Sequence, residues 1–192
     1  MAILEVLKFP DSRLRRKCQE VEQVTPELKK LAEDMLETMY HYKGIGLAAA
    51  QVNQLVRLFV ADVRPKNPET GEYDLEAMTE LERQAPMPLV IFNPVITHRE
   101  GKVTYDEGCL SVPSYFETVE RSQKIIVEGL DLNGQPMKLE TDGLLAICIQ
   151  HEIDHLDGKL FIDRLSPIKS NRIKAKIKKF GYPQEEKEGQ PI

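Results

Sequence analysis

From Thr25 onward, apolar residues recur at Leu28, Leu31, Ala32, Met35 and Met39, the three-and-four spacing of a helix that buries one face. Thr25-Pro26-Glu27 reads as its start, with a side-chain oxygen at the N-cap, proline in the first turn and an acid beside the positive helix end. Gly44 is placed to end it. Residues 55–63 and 89–92 are apolar runs of strand length, the second closed by Asn93-Pro94. Two more strand-like runs, 123–132 and 135–141, flank Asn133-Gly134, a strong hairpin signal. Asp142 can cap a helix from Gly143 to Leu156, with Gly158 as its stop. Ser166-Pro167 opens a last helix with Ile173, Ile177 and Phe180 on one stripe, ended by Gly181-Tyr182-Pro183. Between these elements, residues 64–88 carry four prolines and little periodicity and read as an excursion outside the scaffold. Residues 184–192 are polar and read as a flexible tail. Strands without βαβ alternation and a late helix predict an α+β fold: antiparallel sheets around a central helix, plus a C-terminal helix.

A chain of 192 residues predicts one domain, 1–183 before the tail, and is long enough for a core without staples. With 41% hydrophobic and 30% charged residues it is too apolar for wholesale disorder. Against 31 acids stand 26 Lys and Arg, a net charge of −5, so no DNA partner is expected. The apolar run at 144–149 is far short of a membrane span, and Glu5 interrupts Ile3-Leu4 before any secretion signal can form. Cys18, Cys109 and Cys148 are too few and odd for a disulfide framework; they predict a reducing, cytoplasmic setting.

Chemistry concentrates in three segments. His151-Glu152-Ile153-Asp154-His155 has the H-E-x-x-H form, which on a helix sets two imidazoles on one face within reach of one cation. Glu152 points aside and is free to handle a proton. Leu144, Cys148, His151 and His155 share one stripe and Leu145, Ile149 and Leu156 another, so this helix is apolar on most sides and buried. Two buried histidines and a glutamate cost several kcal/mol without partners, which a metal supplies. A catalytic site needs a third protein ligand. Phe161 stands where one common arrangement puts a third histidine, and the downstream glutamates Glu185, Glu186 and Glu188 lie in the tail. Cys148 is placed to line a pocket, Cys18 sits in a charged segment, and Cys109, in the glycine-flanked bend Glu107-Gly108-Cys109-Leu110-Ser111, is the favoured candidate. The third segment, Gly44-Ile45-Gly46-Leu47-Ala48-Ala49-Ala50-Gln51, lacks the rest of a phosphate loop. Its small residues suggest backbone held close to a substrate, with an amide donor at the end; a tight turn packed in the core is the alternative.

Together these three segments, in order and spacing, resemble the signature motifs of the peptide deformylase family, and the resemblance runs from Leu7-Lys8-Phe9-Pro10-Asp11 to the basic last helix, closest to the bacterial type. It implies a metal-dependent hydrolase that removes the formyl group from the initiator methionine of new polypeptides and releases formate. It implies Cys109, His151 and His155 as ligands of one Fe²⁺, which Zn²⁺, Ni²⁺ or Co²⁺ can replace. Glu152 becomes general base and then acid; the Gln51 amide and the Leu110 N–H become oxyanion donors. Ile45 and Gly46 would line the cleft, and Leu144, Ile147 and Cys148 the methionine pocket. The last helix would bind the ribosome near its exit tunnel. The excursion at 64–88 departs from the family, whose connection here is usually shorter.

Two competing readings fit less well. A metallopeptidase would need a His or Glu ligand that the sequence does not place, and a structural zinc module would fill four positions with Cys or His. His41 and His98 have no paired spacing for that, and Glu152 would then have no purpose.

Overall fold

The computed structural model describes residues 2–183; the expected tail at 184–192 lies outside the described residues. Helix α1 (Pro26–His41) starts as its sequence predicts, with the Thr25 side chain accepting from the Leu28 N–H. It closes on Tyr42, and the left-handed residue that follows is Lys43 rather than Gly44. The chain then forms β1 (Gly46–Ala48), β2 (Leu58–Ala61), the short helix α2 (Glu80–Gln84), β3 (Leu89–Glu100), β4 (Val103–Cys109), β5 (Val112–Arg121), β6 (Lys124–Leu130) and β7 (Pro136–Thr141). Helices α3 (Gly143–Leu156) and α4 (Pro167–Phe180) complete it.

All strand pairings between named strands are antiparallel, in a five-stranded sheet ordered β1-β2-β3-β6-β7 and a separate β4-β5 hairpin. The period of two along the strands decides which helix each face meets. Leu58 and Val60 of β2, with Val90 and Phe92 of β3, join Ala32, Met35 and Met39 of α1. Phe59, Ala61, Leu89 and Ile91 join the apolar residues of α3. The β4-β5 hairpin packs separately, with Val112 and Val119 against Leu160, Phe161, Ile173 and Ile177. Helix α3 is buried from Leu145 to Leu156, the central helix of an α+β fold.

Three local expectations change. Asn93-Pro94 does not end its strand: β3 runs on to Glu100 through a register shift between Phe92 and Val95. A bulge tolerates the missing proline donor, and Asn93, at φ 50°, exchanges two side-chain hydrogen bonds with the Val21 backbone. At the β6-β7 turn only Gly134 has positive φ, and Asp131 N–H donates to the Gln135 carbonyl, so the connection has three residues rather than two. Phe180 is 69% exposed, so of the predicted apolar stripe only Ile173 and Ile177 are buried.

The excursion at 64–88 is not outside the scaffold throughout. Met78, Glu82 and Ala85 are buried. Asp142 occupies the N-cap of α3 without a side-chain bond to the helix; its Oδ1 instead accepts from the Thr79 hydroxyl. Glu82 Oε1 takes over, accepting the Leu145 N–H at 3.0 Å from 63 residues away. Gly143 lies at φ 60° and a Cβ there would sit 2.6 Å from Glu82 Oε1, so glycine is required at this junction. By the activity that the resemblance implies, replacing the exposed tip, residues 67–72, by Asn-Gly should keep turnover of a short formyl-peptide within a few-fold of the unaltered chain. Glu82→Ala should lower stability by about 1–2 kcal/mol, the loss of a buried cap. Chemical denaturation and formate release read the two outcomes separately.

Candidate active site

Helix α3 carries His151 and His155 one turn apart, and β4 ends at Cys109 opposite them. His155 Nε2 stands 3.2 Å from Cys109 Sγ and 3.2 Å from His151 Nε2, all three buried and converging within 4.8 Å. Two imidazole nitrogens on one cation with arms of about 2.1 Å at a tetrahedral angle lie about 3.4 Å apart, so the donor spacing fits a bound metal. Burial, then the neighbouring His151, pushes the His155 pKa well down and keeps the ring neutral, while burial and the Glu152 charge raise the Cys109 thiol. A dication at the point of convergence takes the neutral imidazole as it stands and would draw the thiol back toward the thiolate. Among the described residues this is the group of His, Cys, Asp and Glu side chains able to hold a metal.

Residues not foreseen as functional hold the ligands in place. Glu107 Oε1 accepts from His151 Nδ1 at 2.7 Å, which leaves the Nε2 lone pair facing the cluster. Arg121 grips both oxygens of Glu107, at 2.7 and 2.8 Å, and reaches Asp154 at 2.6 Å; Arg164 closes the network on Asp154. Burial alone would raise both acids, but their guanidinium partners, and His151 for Glu107, hold each at about 2. Glu107 and Asp154 sit inside the motif segments, so a signal existed for them; Arg121 had none, since a lone arginine on a strand reads as surface.

Gln51 is wholly buried in the turn after β1. Its carbonyl accepts from the Ala48 N–H at 2.8 Å, turning the amide nitrogen to 3.5 Å from Cys109 Sγ and 3.1 Å from the Ser111 hydroxyl. Leu110 follows Cys109, with its side chain against Gly44. Glu152 is buried with neither carboxylate oxygen bonded, and burial, together with the charge of Glu107, raises its pKa well above the usual range. It lies under Gly46: a Cβ there would be 2.5 Å from Glu152 Oε1 and 2.7 Å from Cys148 Sγ. Only glycine lets β1 come this close. Cys148 Sγ also faces the Ile45 carbonyl at 3.6 Å. Ile147 and Leu144 lie one and two turns before His151 on the same face of α3. Cys18 sits instead at the far end of α3, its N–H bonded to the Leu156 carbonyl, and His98 is exposed on β3.

Comparison with known proteins gives the family of the chain. The family model for polypeptide deformylase matches residues 3–171. Peptide deformylase of Nitrosococcus oceani is 49% identical over 179 residues, 93% of this chain and 96% of that one. Peptide deformylase of Alkalilimnicola ehrlichii is 48% identical over 93% of this chain and 91% of its own. Among solved structures, the Legionella pneumophila peptide deformylase superposes with a TM-score of 0.77 at 41% identity, over 93% of this chain and 95% of that one. The Ehrlichia chaffeensis enzyme gives 0.81 at 38%, over 96% and 99%. With its three motifs meeting at one buried Cys-His-His cluster and relatives matched almost end to end, this chain belongs to the polypeptide deformylase family.

Proposed function

We propose that this chain removes the formyl group from the initiator methionine of newly made polypeptides, with Cys109, His151 and His155 holding one Fe²⁺. The observation that carries the reading is the pairing of that donor cluster with a buried Glu152 carboxylate that bonds to no other side chain or backbone group, beneath Gly46. A cation bound by this set supplies Lewis acidity and lowers the pKa of water toward neutrality. Glu152 takes the proton from the attacking water and returns it to the leaving nitrogen; its burial favours the protonated intermediate state of the carboxyl. The Gln51 amide nitrogen and the Leu110 N–H meet the oxyanion as it forms, a donor of this kind being worth about 3–4 kcal/mol. Ile45 and Gly46 line the cleft, and Leu144, Ile147 and Cys148 receive the methionine side chain. A formyl carbon bears only hydrogen, which suits the narrow space between β1 and α3; an acetyl methyl would clash there.

A thiolate with two imidazoles suits Fe²⁺, Zn²⁺, Ni²⁺ and Co²⁺; iron follows from the family resemblance. Anaerobically purified protein should release formate from formyl-Met-Ala-Ser and no acetate from acetyl-Met-Ala-Ser. The Fe²⁺ form should lose activity in air, because iron and its thiolate ligand both oxidise, and Ni²⁺ or Co²⁺ should restore a more durable activity. An Fe²⁺ preparation that stays fully active in air for days contradicts the metal assignment.

Residues 1–183 act in this reading as one domain, working in the cytoplasm where nascent chains carry formyl-methionine. The three cysteines, all unpaired, accord with that setting, and no described helix is long and apolar enough to cross a membrane. The ribosome is the proposed partner of α4. Lys169 and Arg172 pair with Glu117, whereas Lys174, Lys176, Lys178 and Lys179 have no carboxylate partner among the described residues. Changing Lys174, Lys176 and Lys178 to Glu should leave short-peptide deformylation nearly unchanged, weaken ribosome binding and flatten its salt dependence. Equal ribosome affinity of variant and unaltered chain at low salt sinks this assignment.

A further inference from the structure

A cavity of about 400 Å³ lies beside the cleft, between the end of α1, the start of β1 and the long excursion. Its walls are Tyr40, Lys43, Asp62, Arg64, Lys66 and Tyr73, with Gly44, which packs against the Leu110 side chain. Asp62 is already satisfied: it holds Arg64 through both oxygens and accepts from the Tyr40 hydroxyl at 2.6 Å. Arg64 stacks on the Tyr73 ring at 4.0 Å. The Lys66 ammonium lies 5.1 Å from the Tyr73 ring and 5.8 Å from the Tyr40 ring, and neither Lys66 nor Lys43 has a carboxylate partner among the described residues. Three cations against one spoken-for acid leave the cavity net positive, with aromatic walls that keep Arg64 and Lys66 in place.

The cavity borders the segment that leads into β1, the strand that meets the Glu152 carboxylate. β1 is an edge strand, paired to β2 on one side only, and an edge of this kind accepts an extended peptide. Gly46 lies on Glu152, and Gly44, two residues back along the chain, borders the cavity. Two residues of extended chain span roughly 7 Å. A peptide whose methionine is at Gly46 and whose chain runs back past Ile45 and Gly44, the residues that lead into β1, therefore brings its second or third residue toward Lys43 and Lys66. We infer that this cavity is a subsite for a carboxylate side chain, Asp or Glu, at the second or third residue of the formyl-methionyl peptide. The inference rests on the proposed deformylation at Glu152 and adds to it a selectivity created by the excursion, since Lys66 and Tyr73 both belong to residues 64–88.

The test compares amidated peptides, so that no terminal carboxylate intervenes: formyl-Met-Ala-Asp-amide against its neutral isostere formyl-Met-Ala-Asn-amide, the same pair with the acid at the second residue, and formyl-Met-Ala-amide as the reference. At low salt, kcat/KM should favour Asp over Asn by about three- to tenfold at one of the two positions, through KM rather than kcat. The ratio should fall toward one in 0.5 M salt and in the double variant Lys43→Gln, Lys66→Gln. Equal rates for Asp and Asn peptides at both positions, or an undiminished ratio in the double variant, overturn the inference. Turnover of the reference peptide with no acid preference leaves the deformylase reading standing and removes only this one; no turnover of any formyl-peptide removes both. Inhibition of the reference reaction by oligouridylate that the double variant escapes, with Asp and Asn peptides equal, would assign the cavity to RNA phosphate and overturn it too.

Discussion

Replacing Glu152 with alanine is expected to lower kcat by about 10²–10⁴-fold while fold and metal content are retained. The carboxylate touches neither His151 nor Cys109 through a hydrogen bond, and both its oxygens are buried without partners. Removing it therefore deletes no bond to another side chain or to the backbone, so the melting temperature should hold. Glu152→Gln keeps the shape and should lose nearly as much rate, because an amide cannot take up the proton. Formate release, metal analysis and a thermal melt on the same preparations separate a chemical role from a structural one. A variant that keeps more than about a tenth of the original rate shows that another group moves the proton.

Arg121→Leu should do the opposite: damage the fold first and the metal site through it. The arginine side chain is 3% exposed and is shared between Glu107, fully buried, and Asp154. Its removal strands Glu107 in the interior and leaves Asp154 to Arg164 alone, a loss of about 3–5 kcal/mol, or roughly 6–20 °C in melting temperature for a chain of this length. Glu107 also orients His151, so metal affinity should fall by about 10–100-fold. The pH dependence has a definite sign. Burial opposes ionisation of both acids, yet their cationic partners hold them at about 2, below the ordinary 4.5 and 3.8. Their stabilisation is thus complete above the ordinary carboxylate range and is lost as the pH falls toward 2. In Arg121→Leu, Glu107, buried without its guanidinium, gains from protonation, while Asp154 keeps Arg164. The stability difference between the two proteins should narrow between about pH 6 and pH 3. A constant difference across that range excludes the network as its source.

The elements that were legible in the sequence are those whose cause is local. Thr25-Pro26 caps α1, the i and i+4 histidines declare the face of α3, and Asn133-Gly134 marks the hairpin, because each is decided within one or two turns of chain. The chemical identities of the candidate site were legible for the same reason: Cys109, Gln51, Glu152 and the two histidines lie in short motifs whose residue types have few other uses. What misled was long-range. Asn93-Pro94 looks like a stop, yet Val21 holds it as a bulge within β3. Asp142 looks like the cap of α3, yet Glu82 performs that task from a segment that reads as loose.

By itself, then, the sequence determined which groups can do chemistry here and that they belong on a buried helix, a bend and a glycine-rich strand. Only the tertiary structure brought Cys109 Sγ within 3.2 Å of His155 Nε2, set Gly46 on Glu152, and made Glu107, Arg121 and Asp154 interior rather than surface charges. The reason is physical. Helix and turn preferences act over a few residues and leave their mark in spacing, whereas desolvation and the pairing of buried charges depend on which distant segments share one interior, and no local pattern records that.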